Sequence, residues 1–245
     1  AAIAAYRLHQ GLQRLDVDSQ MIVAQKLTDD TAVHSPSTLA GKLWSRVAHH
    51  VDQIPRRFLT TPNPSLLSPA WVWSNAIQRA LALKPNVVNL HWVQSGFVRL
   101  AALRLLANMP TVWTLHDMWA FCGAEHYVGN DQRYVEGYTS KNRPSQESGF
   151  DLNRWTWRRK MRVISTMKRL TVVTNSRWLG DCAAQSAMLR GGAHIVPINY
   201  GLDADTFKPI PKECARHILN IPREKKIVLF GAVNASGDMR KGIDL

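Results

Sequence analysis

The sequence predicts an α/β fold in which a parallel sheet is covered by helices on both faces. Short apolar runs of strand type alternate one at a time with helical patterns from Gln20 to Ile198. The run Asn86 to His91, with its valines and leucine, reads as a strand buried on both sides. A hydrophobic content of 45% in 245 residues is enough for a proper core.

Each element follows in order. Ala5, Leu8, Leu12 and Leu15 recur at three- and four-residue steps, which predicts a helix over Ala1 to Leu15 that buries this face. Gln20 to Ala24 reads as a strand, stopped by polar Thr28 to Thr31. Residues 35–69 carry prolines at 36, 55, 62, 64 and 69 and read as insertion or loop, with one helix over Thr38 to Val51. Ser74 to Leu83 is helical until Lys84-Pro85, and the strand Asn86 to His91 follows. Phe97 to Asn108 suits a helix ended by Pro110, after which the strand Thr111 to Leu115 delivers His116 and Asp117 at its carboxyl end. Met118 to Gly149 is long, polar and without clear period. Asp151 then heads a helix towards Arg169, before the strand Leu170 to Thr174, a helix over Ser176 to Leu189 and the strand His194 to Ile198. Gly201 to Lys225, with Pro209, Pro211 and Pro222, reads as a connector holding at most one short helix. Lys226 to Phe230 starts a new buried strand, and a loop leads from Gly231 to Lys241. The expected organisation is a domain over 1–203, a connector over 204–225 and the start of a second domain over 226–245.

Charge and cysteine usage bound the partners. The formal charge of +13, from 31 Lys+Arg against 18 Asp+Glu, attracts nucleic acid, an anionic membrane or a phosphorylated substrate. Arg154, Arg158, Arg159, Lys160, Arg162, Lys168 and Arg169 fall in one segment without an acidic residue. A solvated helix face accounts for this stripe, and Trp155 and Trp157 tilt it towards an interface. No uncharged apolar run reaches the roughly 18 residues of a membrane span. Cys122, Cys182 and Cys214 lie far apart without a C-x-x-C pair, so neither a disulfide framework nor a zinc site is expected. Reduced thiols and the lack of a secretory pattern at Ala1 fit a cytoplasmic protein.

In a parallel α/β sheet ligands gather at the carboxyl ends of the strands. That rule selects His91-Trp92, His116-Asp117 and Asn175-Ser176-Arg177, on successive strands. His116 brings an imidazole with a pKa near neutrality, and Asp117 a carboxylate for a tautomer or a sugar hydroxyl. The structural alternatives are that Asp117 caps the next segment and His116 packs under Trp119. Ser176 stands where a helix starts, as N-cap or as a marker of free backbone amides facing a ligand. Trp113, Trp119, Phe121 and Tyr127 crowd the same loop, for sugar stacking or for core packing. Lys241 follows a glycine-containing loop, a place that suits a diphosphate. No G-x-x-x-x-G-K-[ST], G-x-G-x-x-G or G-x-S-x-G is present, which argues against P-loop, dinucleotide and serine-hydrolase chemistry.

Taken together, Thr114-Leu115-His116-Asp117-Met118-Trp119-Ala120-Phe121, Thr174-Asn175-Ser176-Arg177-Trp178-Leu179 and Ile198-Asn199-Tyr200-Gly201-Leu202-Asp203 with Phe207-Lys208-Pro209 resemble the group-one, family-four retaining glycosyltransferases of the GT-B fold. Phe230 to Asn234 with Arg240-Lys241-Gly242 resembles the opening of that family's second domain. The resemblance implies two Rossmann-like domains, the first for the acceptor and the second for the nucleotide sugar. It further implies transfer to an acceptor hydroxyl with retention, no cofactor beyond the nucleotide-sugar donor, and no metal.

Within that resemblance His116 is the cleft histidine near the transferred sugar and Lys241 the diphosphate lysine. The expected cleft residues around the acceptor are His91, Asp117, Trp119, Asn175, Ser176 and Arg177. The sequence departs from the family at Gly231-Ala232, where a Gly-Arg pair is common. The family's glycine-rich loop and first strand would precede Ala1 and its paired glutamates would follow Leu245, so this stretch alone is expected to be inactive. The leading expectation is an enzyme of surface polysaccharide or glycolipid synthesis, peripheral on the inner membrane face, using a glycan or lipid-linked acceptor. The alternatives are a basic nucleic-acid-binding α/β domain, although no nucleic-acid partner is expected, and a catalytically silent sugar-binding relative.

Overall fold

A computed structural model describes residues 1–231. The expectations for the loop after Gly231, Lys241 among them, lie outside the described residues. The chain divides into two compact units, Ala1–Gly201 and Leu202–Leu245.

The first unit is built on a four-stranded parallel sheet of β4 (Val88–His91), β5 (Thr111–Leu115), β7 (Leu170–Thr174) and β8 (His194–Pro197), in that spatial order. Before it come α1 (Ala2–Gln13), the small parallel pair β1 (Met21–Ile22) and β2 (Val33–His34), α2 (Leu39–Asp52), a 3-10 helix η1 (Ile54–Phe58), β3 (Leu59–Thr60) and α3 (Ala76–Ala82). A second 3-10 helix, η2 (Leu100–Leu106), joins β4 to β5. The connection from β5 to β7 holds α4 (Arg133–Glu136), β6 (Ser148–Gly149) and α5 (Leu152–Ile164), and α6 (Arg177–Gln185) leads into β8. Successive strand residues point to opposite faces, so burial of Trp113, Thr114 and Leu115 in a row means that β5 is covered on both sides. The α/β expectation therefore holds, with parallel strands in register from Val88↔Thr111 through Thr171↔His194.

The core joins Leu90, Trp113, Leu115 and Val172 of the sheet to Leu100, Leu103 and Leu106 of η2 and to Val163 and Leu179. Those three leucines stand at steps of three, the repeat of a 3-10 helix, which places all of them on one inward face. The helix expected over Phe97 to Asn108 is thus present as a shorter 3-10 helix, and the three-residue period accounts for its type.

Several expectations are corrected. In α1 the buried pair is Ala5 and His9, whereas Leu8 and Leu15 are exposed. His9 is held inward because its ring nitrogens reach Ser19 Oγ at 2.8 Å and Asp30 Oδ2 at 3.2 Å. The strand expected at Gln20 to Ala24 shrinks to β1, paired with β2 outside the four-stranded sheet. Asp151 does cap α5, accepting from the Arg154 N–H at 3.0 Å, but the helix ends at Ile164.

The basic stripe is not one surface. The Arg159 guanidinium donates to the Pro69 and Ala70 carbonyls and stacks over Trp155, and Lys160 is fully buried. In the second unit α7 (Lys212–Ile218) forms, and Arg216 donates to the carbonyls of Pro222 and Lys225. Lys226 to Phe230 forms no strand, because a strand needs a neighbour to pair with and none is present among the described residues.

Candidate functional site

The strands of the main sheet are all parallel, so their carboxyl ends share one edge. β4 ends in His91, β5 runs directly into His116, β7 into Asn175, and β8 leads to Tyr200. Four side chains from four strand ends form a hydrogen-bonded row there. Asn175 Nδ2 donates to Tyr200 Oη at 2.8 Å, Tyr200 Oη meets His116 Nδ1 at 2.5 Å, and His116 Nε2 meets His91 Nδ1 at 3.1 Å. Tyr200 and His116 also stack, with ring centroids 5.4 Å apart. The direction that uses every donor runs from Asn175 through the Tyr200 hydroxyl to His116 Nδ1, which leaves the His116 proton on Nε2 for His91.

Partial burial of both imidazoles, with the mutual repulsion of their charged forms adding at His116, lowers each pKa to about 4. Both rings are therefore neutral at pH 7. A neutral imidazole at this edge offers one donor and one acceptor, which suits a sugar hydroxyl better than an anion. Tyr200 is 45% exposed whereas His91, His116 and Asn175 are only partly exposed, so the hydroxyl that closes His116 Nδ1 belongs to the most exposed residue of the row.

Asp117 has a different fate. Its Oδ1 accepts from the Trp119 N–H at 2.9 Å, and its Oδ2 accepts from Trp92 Nε1 at 3.2 Å and faces His126 Nδ1 at 2.7 Å. Burial works to raise its pKa, but these hydrogen bonds outweigh it and hold the carboxyl below its usual value. With both oxygens engaged, Asp117 fixes the loop after β5, as its structural alternative has it. The same bond holds Trp92, whose backbone stands in the left-handed region at φ 39°.

The remaining expected residues separate cleanly. Trp119 is fully buried and donates its indole N–H to the Ser68 carbonyl at 2.8 Å, so its side chain is core and not cleft wall. Trp113 and Phe121 are buried with it. Ser176 caps α6 by accepting from the Leu179 N–H at 3.2 Å, and Arg177 beside it is exposed. The structure thus joins His91, His116 and Asn175, holds Asp117 apart in a buried network with Trp92, Trp119 and His126, and adds Tyr200, which sequence reasoning passed over as a site residue. Tyr200 was within reach of the strand-end rule, since it follows the fourth strand as the others follow theirs.

The cavity beside His116 and Asp117 measures about 10 Å³, room for one water, and Gln94 Oε1 in its wall has no hydrogen-bond partner. A larger apolar groove of about 660 Å³ involves none of the expected site residues; it is lined by Ile54, Pro55, Phe58, Trp71, Phe150 and Trp155 with Gly149. Among the described residues no group of three or more His, Cys, Asp or Glu side chains could hold a metal, and no helix is long and apolar enough to cross a membrane.

Neither the curated proteins nor the solved structures contain a match to this chain. A family model does match, and it covers residues 1–205, which include the whole four-stranded sheet and the row of side chains at its edge. That match favours neither the nucleic-acid-binding reading nor the silent relative. On the family model and the parallel α/β sheet, the chain belongs to glycosyltransferase family 4.

Proposed function

We propose that this chain supplies the acceptor-side wall of an enzyme that moves a sugar from a nucleotide-sugar donor to an acceptor hydroxyl with retention at the anomeric carbon. The observation that carries the reading is the partly exposed, neutral His116 at the end of β5, closed on one side by a displaceable Tyr200 hydroxyl. A substrate hydroxyl takes the place of Tyr200 Oη on His116 Nδ1 and inherits an acceptor already oriented through His91. With its pKa depressed, His116 works at pH 7 by holding and orienting the sugar, not by giving up a proton from a cation.

Asp117 keeps the loop in place from below and does not contact substrate. The donor's diphosphate falls to a second domain beginning near Lys226, where Lys241 neutralises charge as the leaving group departs. The acceptor is a glycan or lipid-linked sugar of surface polysaccharide or glycolipid synthesis. No cofactor other than the nucleotide sugar takes part.

The test is transfer by the protein as expressed from its native gene, with a panel of UDP- and GDP-sugars, and with the anomeric configuration of the product read by NMR. Donor-dependent transfer with retained configuration is expected. An inverted product would remove retention, and acceptor binding without transfer from any donor would leave the silent relative in its place.

A further inference from the structure

The inner side of α2 buries Ala48 and Asp52, while Leu39, Leu43 and Val47, at steps of four, stand 75%, 52% and 47% exposed along the opposite side. The stripe does not stop with the helix. Ile54 and Phe58 of η1 extend it at 42% and 65% exposure into the open apolar groove, whose far wall holds Phe150 and Trp155. Lys42, Arg46, Arg56 and Arg57 lie among these residues, and Arg154 and Arg158 flank Trp155 on α5. None of the six makes an ion pair among the described residues. From Thr31 to His116 the sequence holds a single acidic residue, Asp52, and it is fully buried beneath α2, accepting from the Ala70 and Trp71 N–H groups. The surface therefore combines inserted-size apolar side chains with cations that no carboxylate neutralises.

We propose that this face, the outer side of α2 continued by η1 and the groove, docks on an anionic lipid bilayer. Charge selects that occupant. A second copy would present the same cations to themselves in a two-fold contact, which opposes self-association. Anionic headgroups complement them at about 1 kcal/mol per well-placed Lys or Arg, and the apolar stripe enters the headgroup boundary in the plane of the surface.

The site is coupled to this face by direct packing. Gly96, in the loop after β4 and at φ 78°, approaches α2 so closely that a Cβ there would meet the Ala48 carbonyl carbon and oxygen at 2.6 Å. The loop that follows His91 thus rests on the inner side of the docking helix, and one helix diameter, about 10 Å, separates it from the lipid side. Given the transfer reading above, on which this consequence alone rests, the acceptor is one whose sugar stands at a membrane surface.

Co-sedimentation of the full chain with phosphatidylcholine vesicles, with and without phosphatidylglycerol, tests the docking without any need for turnover. Binding to the anionic vesicles is expected, and at least about tenfold weaker binding to the neutral ones. Leu43→Asp with Phe58→Asp is expected to lower anionic-vesicle binding about tenfold or more at an unchanged melting midpoint, because both side chains already face solvent. Arg56→Gln with Arg57→Gln provides a second variant that leaves the apolar stripe intact and is expected to weaken binding by a similar factor. No binding to anionic vesicles would overturn the proposal, as would binding that the apolar variants leave unchanged. A concentration-dependent dimer abolished by Leu43→Asp would overturn it in favour of a second copy. Vesicle binding without sugar transfer would retain the docking surface and remove the transfer reading.

Discussion

His116 and Asp117 are adjacent in the chain, yet one belongs to an open row of side chains and the other to a closed polar network beneath it. In the row, His91, His116, Tyr200 and Asn175 pass a hydrogen bond along the strand ends, with a half-exposed phenol as one link. Below, the loop from Met118 to Gly149 closes over polar groups that are mostly buried, with only Asp131 among them partly exposed. Arg133 forks onto Glu147 at 3.1 and 3.2 Å and reaches Asp131 at 2.6 Å. Lys160 donates to the Trp119 and Gly123 carbonyls and lies over the Trp119 ring, while Tyr138 donates to Glu125. Burial lowers the Lys160 pKa and raises that of Glu125. The difference teaches that a polar residue at a strand end becomes a site only where a partner can be exchanged. Where every partner is internal, the same chemistry stabilises a loop.

The largest expected effect tests the closed side. Arg133→Ala strips the buried Glu147 of its fork, and denaturant unfolding is expected to show a loss of about 3–5 kcal/mol. Next comes Gly123→Ala, whose Cβ would meet the Asn153 Cα at 2.8 Å and the Glu125 carboxylate at 2.5 Å. Overpacking of that kind is expected to cost about 1–3 kcal/mol, and a variant as stable as the parent would show that the loop is looser than described.

Acid sharpens the contrast from the open side. The His91 and His116 imidazoles titrate at about 4 when folded, against about 6.5 when unfolded. Across that window the unfolded chain takes up protons that the folded chain refuses. Their contribution to stability is therefore complete above about pH 6.5 and is lost as pH falls towards 4. Imidazole resonances followed by NMR are expected to shift near pH 4, and midpoints near 6.5 would show the rings to be solvated. The smallest effect is Ser176→Ala, which removes the α6 cap and is expected to cost about 1 kcal/mol while leaving both histidine titrations where they are.

Much of the frame was legible from local pattern. β4, β5 and β7 are apolar runs bounded by turns or proline, and their single-file alternation with helices specified a parallel sheet, which in turn brought His91, His116 and Asn175 to one edge. What escaped depended on partners distant in sequence. Nothing near Lys160 says that it turns inward, since a lysine among arginines on a helix reads as a surface cation and the carbonyls that receive it lie 41 and 37 residues earlier. Trp119 looked like cleft because it follows a strand, but its indole finds a carbonyl at Ser68, 51 residues away. The exposed stripe of α2 was equally hidden, because periodicity marks an apolar face without saying whether protein covers it.

Sugar transfer by His116→Ala, measured beside the parent at pH 7 and at matched melting midpoint, bears most directly on the claim that the open row is the working edge. The account predicts a fall in turnover of about a hundredfold or more, because the group that holds the reacting sugar is gone while the network anchored by Asp117 stands. Turnover equal to the parent's would contradict it and take His116 out of the site.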